Sequence, residues 1–270
     1  MTYETLDVRT DGAVATIFLN RPDKANAMNA PMWRELRAAL QWLDETPAVR
    51  VGILRGAGRH FTAGIDLSLL DGMREHLDSR CGGRAREALR REIQSFQDTI
   101  TAVERCRKPV IAAIHGPCIG GGVDLVTACD MRYCSAQATF SIREIDVGLT
   151  ADVGTLQRLP RLIGEGMARE LAYTGRTVSG REAREILLAN RCYDDADALF
   201  AGVSELAATI AAKSPLSIRG TKEMITYARD HSVADALNYV ATWNASMLIS
   251  ADLEEALRAG REKRPPVFED

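Results

Sequence analysis

Residues 108–116, KPVIAAIHG, are a short apolar run ended by glycine, and PCIGGG then leads into VDLVTACD. An apolar run of this length predicts a buried strand, and the stretch after the glycines has the pattern of a short buried helix. Glycines at a strand-to-helix turn let the backbone approach a ligand closely. They also leave free N–H groups at the helix start, aimed at a negative oxygen. The spacing is not GxGxxG, and no Lys-Ser or Lys-Thr follows, so phosphate cradling is the weaker reading. A tight turn with no ligand fits the glycines alone equally well.

Strands and helices interleave around this segment. GAVATIFLN (12–20) alternates apolar positions as a strand does, and RVGILRGAG (50–58) is a β-rich run ended by glycine. MRYCSAQATFSI (131–142) holds one strand or two short ones, while Trp33, Leu36, Leu40 and Leu43 lie at helical spacing within 30–45. From about 155 the signals turn helical. Ser179 with Glu182 forms a capping box, Ser214-Pro215 is a helix start, and 199–213, 215–230, 232–250 and 252–260 are predicted helices. The fold class is therefore α/β, with a sheet-bearing part over 1–198 and a helical part over 199–270.

A second glycine site strengthens the ligand reading. GRHFTAGIDL (58–67) also follows a strand, and Gly64 precedes Ile65 and Asp66. Two backbone N–H groups from two such turns are what an oxyanion hole for a carbonyl requires. Three acids, Asp124, Glu144 and Asp152, stand in mostly apolar surroundings nearby, where ionisation is costly. Each has an ordinary structural role open to it: Asp124 bonding the glycine turn, Glu144 pairing with Arg143, Asp152 capping the helix after it.

Other classes find little support. A net charge of −3 gives no nucleic-acid footprint, and no apolar run is long enough for membrane insertion. The start MTYETLDVRTDG does not resemble a leader, and PPVFED is not a peroxisomal tripeptide. The six cysteines show no CxxC pair, which fits reduced thiols and a cytoplasmic location. No His/Cys cluster has metal-ligand spacing, and no GxSxG elbow accompanies His60 or His115. The Arg-rich stretch 74–94 reads as a solvated loop and helix face or as a wall of a ligand pocket.

FTAGIDL together with HGPCIGGGVDLVTACDMRYCSAQATFSIREIDVGLTADVGTLQRLPRLIG resembles the crotonase (enoyl-CoA hydratase/isomerase) superfamily. LNRPDKANAMN near the start and REKRPPVF near the end resemble that family's acyl-CoA-binding elements. The resemblance implies a crotonase-like core of repeated ββα turns and a helical C-terminal region used in homotrimer or homohexamer assembly. It implies an acyl-CoA thioester substrate, with CoA as part of the substrate and no separate cofactor. The thioester oxygen is then held by the N–H groups of Ile65 and Gly121. Lys24, Ala25, Ala63, Gly64 and Asp66 fall where relatives meet the CoA moiety, and Lys263 and Arg264 are either phosphate contacts or a solvated basic tail.

The acids select the subfamily. By resemblance, hydratases carry Glu at the positions of 124 and 144 and tend to carry Gly at 152, whereas this chain has Asp124 and Asp152. The three acids together resemble the Δ3,5-Δ2,4-dienoyl-CoA isomerases of fatty-acid degradation. That reaction takes a proton from C2 and returns one at C6, too far apart for one short carboxylate. Glu144 is the expected base, Asp152 the expected acid, and Asp124 a group that tunes or orients them. An enoyl-CoA hydratase is the alternative enzyme, and a non-catalytic RNA-binding homologue the alternative of another class.

Overall fold

A computed structural model of the chain describes residues 2–69, 72 and 81–270. Leu6–Asp11 (β1) and Val14–Leu19 (β2) form an antiparallel hairpin, with Leu6 opposite Leu19 and Asp11 opposite Val14. Val51–Gly56 (β3), Val110–Ile114 (β4), Met131–Ser135 (β6) and Arg191–Tyr193 (β9) then add parallel strands, in the order β1-β2-β3-β4-β6-β9. Parallel sheets are covered on both faces, which is why every residue of β4 is apolar and buried. Pro117–Ile119 (β5), Thr139–Ser141 (β7) and Val178–Ser179 (β8) form a second, smaller sheet.

The helices return the chain between strands. Ala30–Glu45 (α1) turns Met32, Trp33, Leu36, Leu40 and Leu43 inward, and the Asn29 side chain caps it by accepting from the Met32 N–H at 3.1 Å. Gly82–Arg105 (α2) links β3 to β4, and Gly121–Ala128 (α3) is buried along its whole length. Thr155–Ile163 (α4), Glu165–Thr174 (α5) and Gly180–Glu185 (α6) follow. The pattern repeats. β4, β5 and α3 form one turn, β6, β7 and α4 the next, and β5 pairs in parallel with both β7 and, by a bridge from Cys118, Thr62. Each turn thus places one strand in the main sheet and one segment in the small sheet before its helix, the repeated ββα spiral that the resemblance implies.

One helix runs across the boundary expected at 198/199. Ala196–Ala211 (α7) packs Leu199, Val203, Ala207 and Ala211 on Val51, Ile53, Ile111 and Ala113, so it covers the sheet rather than leaving it. Pro215–Ala228 (α8), Val233–Met247 (α9) and Ala251–Glu262 (α10) follow, each capped by a serine, with Pro215 in the first turn of α8. The stretch 131–142 is two strands in different sheets, and β1, β8 and β9 were not anticipated. Of the Arg-rich stretch, 74–80 lies outside the described residues, and the part from Gly82 onward is the start of α2. Among the described residues no helix is long and apolar enough to cross a membrane.

Candidate active site

The two glycine turns abut. The Met28 N–H donates to the Gly64 carbonyl at 2.8 Å and the Asp66 N–H to the Met28 carbonyl at 3.0 Å. Successive N–H groups of extended backbone point to opposite sides, so the Ile65 N–H faces away from Met28. The Ile65 nitrogen lies beside the second turn, 3.7 Å from where a Cβ on Gly121 would stand. The Gly121 N–H heads α3, where the first-turn N–H groups have no partner within the helix. Gly64 is required because a Cβ there would come within 2.6 Å of the Ile119 carbonyl oxygen and 3.3 Å of the Gly121 nitrogen. The Thr62 hydroxyl fixes the first turn, donating to the Asn26 carbonyl at 2.7 Å and accepting from the Gly64 N–H at 3.1 Å.

Asp124 lies in the first turn of α3 and is fully buried. One carboxyl oxygen accepts the Thr155 N–H at 2.5 Å, and the other has no partner among the described residues. Burial pushes its pKa up to about 6; Thr155 opposes the rise and Asp152 adds to it. Glu144 opens the short 3-10 turn Glu144–Val147. Its carboxyl lies against Gly120, where a Cβ would meet Oε1 at 3.0 Å, and Oε2 is buried without a partner among the described residues. Burial, then the charges of Asp124 and Asp152, push its pKa up to about 7. Asp152 sits at the solvent edge, and partial burial raises its carboxyl as well. The three acids thus share one electrostatic site.

None of the ordinary structural roles is taken. Asp124 bonds α4 rather than the glycine turn, Arg143 pairs with Asp146 at 3.6 Å rather than with Glu144, and α4 is capped by Gly154 rather than by Asp152.

On the rim, Ala25 and Ala63 are neighbours, joined by the Ala63 N–H donating to the Ala25 carbonyl at 2.9 Å. Ala25 and Asn26 both adopt left-handed backbone, with φ of 49° and 55°. Their loop is held by the buried Asn26 side chain, which accepts from the Arg21 N–H at 2.9 Å and donates to the Ala57 and His60 carbonyls at 2.8 Å. Lys24 is exposed beside them. Asp66 is already engaged: Arg21 at 2.8 Å and Ser68 hold its carboxyl below the usual range. Arg264 likewise pairs with Glu255 and Glu262, so its charge braces the end of α10. Among the described residues no three His, Cys, Asp or Glu side chains converge as metal ligands.

Thr62, Gly120, Asn26 and Thr155 belong to this site and were not singled out from sequence. All four lay inside motifs already quoted, but nothing in the residue types marked Thr62 or Thr155 as contacts of the site.

The model of the enoyl-CoA hydratase/isomerase family matches residues 9–270. The chain is 50% identical to the peroxisomal Delta(3,5)-Delta(2,4)-dienoyl-CoA isomerase of Arabidopsis thaliana, over 98% of this chain and 97% of that protein. It is 46% identical to the mitochondrial enzyme of the same name from Mus musculus, over 97% of this chain and 81% of that protein. Among solved structures it is similar to an enoyl-CoA hydratase from Bacillus anthracis, at a TM-score of 0.89 and 33% identity, covering 98% of this chain and 99% of that one.

Proposed function

The chain belongs to the enoyl-CoA hydratase/isomerase family, and from that premise we propose how its three acids act. It is an isomerase that moves the double bonds of a 3,5-dienoyl-CoA to the 2,4-positions, in fatty-acid degradation. The observation that carries the mechanism is the cluster of Asp124, Glu144 and Asp152, electrostatically joined beside the neighbouring glycine turns of Gly64 and Gly121.

The thioester oxygen accepts hydrogen bonds from the Ile65 and Gly121 N–H groups, with Gly64 shaping the turn. Ionised Glu144 takes the C2 proton, and the charge spreads from the thioester oxygen along the conjugated chain, where those donors stabilise it. Neutral Asp152 then gives a proton to C6, leaving double bonds at C2–C3 and C4–C5. A proton passed from Glu144 to Asp152 restores the starting state. One proton leaves and one returns, so the reaction is redox-neutral and needs no cofactor beyond the CoA of the substrate. A base near pKa 7 is close to the operating pH, which suits it to take a proton and pass it on.

Lys24, Ala25, Ala63 and the backbone at Asp66 are the proposed rim for the CoA moiety. The proposed assembly is a homotrimer or a dimer of trimers, and six cysteines without a CxxC pair support a reducing compartment, the cytoplasm. The compartments in the relatives' names belong to those proteins.

Hydration of a 2-enoyl-CoA is the rival reaction, and Asp124 argues against it. Asp124 is one methylene shorter than the Glu that the resemblance gives hydratases at this position, and one of its oxygens is held by the Thr155 N–H. The test is to incubate the enzyme with a 3,5-dienoyl-CoA and a 2-enoyl-CoA in parallel. Diene isomerisation should exceed hydration by a wide margin; efficient hydration without a diene shift would overturn the reading.

A further inference from the structure

Gly154 closes the turn that carries Asp152 and leads into Thr155, with a φ of 136°. The space a side chain would take there is filled by Arg158, whose Nη1 would lie 1.9 Å from a Cβ on Gly154. Arg158 stands one turn along α4, and its side chain is only 16% exposed. Its Nε and Nη2 donate to one Glu104 oxygen at 3.0 and 2.8 Å, from the last turn of α2. Glu104 is also paired with Arg229, just past α8, and Asp230 is held in turn by Arg161 at 2.7 Å. About two turns nearer the start of α2, Gln97 donates to the Asp152 carbonyl at 2.7 Å. Helix α2 therefore grips the segment 152–155 twice, through Gln97 in its second half and through Glu104 and Arg158 beneath its end.

Glu144 is seated differently. Its carboxyl rests on Gly120, at the turn that starts α3. The proton donor and the base thus stand on different segments.

We infer that Arg158 is a positioning residue for the C6 proton transfer: its guanidinium, locked by Glu104 and wedged under Gly154, sets where Asp152 stands along the reacting chain. The inference rests on the two-carboxylate reading above. Lysine in its place keeps the charge but lacks the planar fork that bonds Glu104 through two nitrogens. Asp152 would then be less well placed, while the Ile65 and Gly121 N–H groups and Glu144 stay as they are.

The full-length Arg158→Lys and Glu104→Gln variants would be incubated with a 3,5-dienoyl-CoA in deuterated water. Exchange of the C2 hydrogen and formation of the 2,4-diene would be read in the same sample. The ratio of exchange to isomerisation should rise about 10- to 100-fold in Arg158→Lys, the range expected of a misplaced reacting group, and rise less in Glu104→Gln. Because the ratio is internal, a smaller fraction of folded enzyme does not move it. Exchange and isomerisation falling in equal proportion, or a ratio unchanged in both variants, would overturn the inference. A wild-type enzyme that makes no 2,4-diene would instead remove the reaction on which it rests.

Discussion

Glu144 and Asp124 are held above the ordinary carboxylate range chiefly by burial, and each charge makes its neighbours harder to ionise. That has two measurable consequences at Glu144. The folded state favours its neutral form, so the stability this group lends is full below 4.5 and is lost as pH rises through about 7. Glu144→Gln, neutral at every pH, should therefore melt above wild type at alkaline pH, with the gap closing toward acid. The same variant should lose C2 exchange and isomerisation together, since an amide cannot act as the base; a lost base or acid costs about 10²–10⁴-fold. Asp152→Asn should behave differently, exchanging C2 hydrogen in deuterated water while making little 2,4-diene. Isomerisation that survives in Asp152→Asn, or exchange that survives in Glu144→Gln, would show the roles to be misassigned. All three acids were legible in the sequence because charged residues in an apolar stretch stand out. Thr155 was not: an ordinary threonine gives no sign that its N–H will meet a carboxylate 31 residues away.

At the scale of elements, the site depends on the glycine turn that ends β5 and starts α3. Gly120 has a φ of 52°, and Glu144 occupies the place a side chain would need. Gly120→Ala should destabilise the fold by about 1–3 kcal/mol through backbone strain and should also lower kcat by moving the base. Paired thermal unfolding and rate measurements check this, and an unchanged kcat would mean that Glu144 does not work from its seat on Gly120. The turn and helix α3 were readable because an apolar strand, a glycine run and an apolar helix follow one another without interruption. Helices α8, α9 and α10 were readable as helical stretches, α8 also from Ser214-Pro215 at its start, with ends shifted by a few residues. Strands β8 and β9 were not, since two or three residues carry no period to detect. The break between β6 and β7 falls at Ala136 to Ala138, closed by the Ala138 N–H donating to the Ser135 carbonyl at 3.0 Å, with neither glycine nor proline to announce it.

At the scale of the whole molecule, helices α1 to α6 contribute to the core on one side of the sheet and α7 to the core on the other, and α8 to α10 follow in the chain. In sequence, an apolar helix face looks the same whether it meets the sheet of its own chain or another surface. Helix α9 makes the distinction visible: it has no buried residue, and Val233, Leu237 and, just beyond it, Ile249 are 77%, 63% and 82% exposed. A helix of 15 residues is marginal in water on its own propensity and draws its stability from packing an apolar face. A second apolar set, Ile145, Val147 and Leu149, is exposed immediately after Glu144. Large apolar surface on a chain of this charge is covered by a partner more readily than left to water. The enzyme should accordingly run in light scattering at three or six times the 29.5 kDa of one chain. Leu237→Asp, which places a charge on the face of α9, should shift the population toward smaller species. A wild-type protein that stays monomeric at micromolar concentration would rule this assembly out, and the exposed face of α9 would then need another explanation.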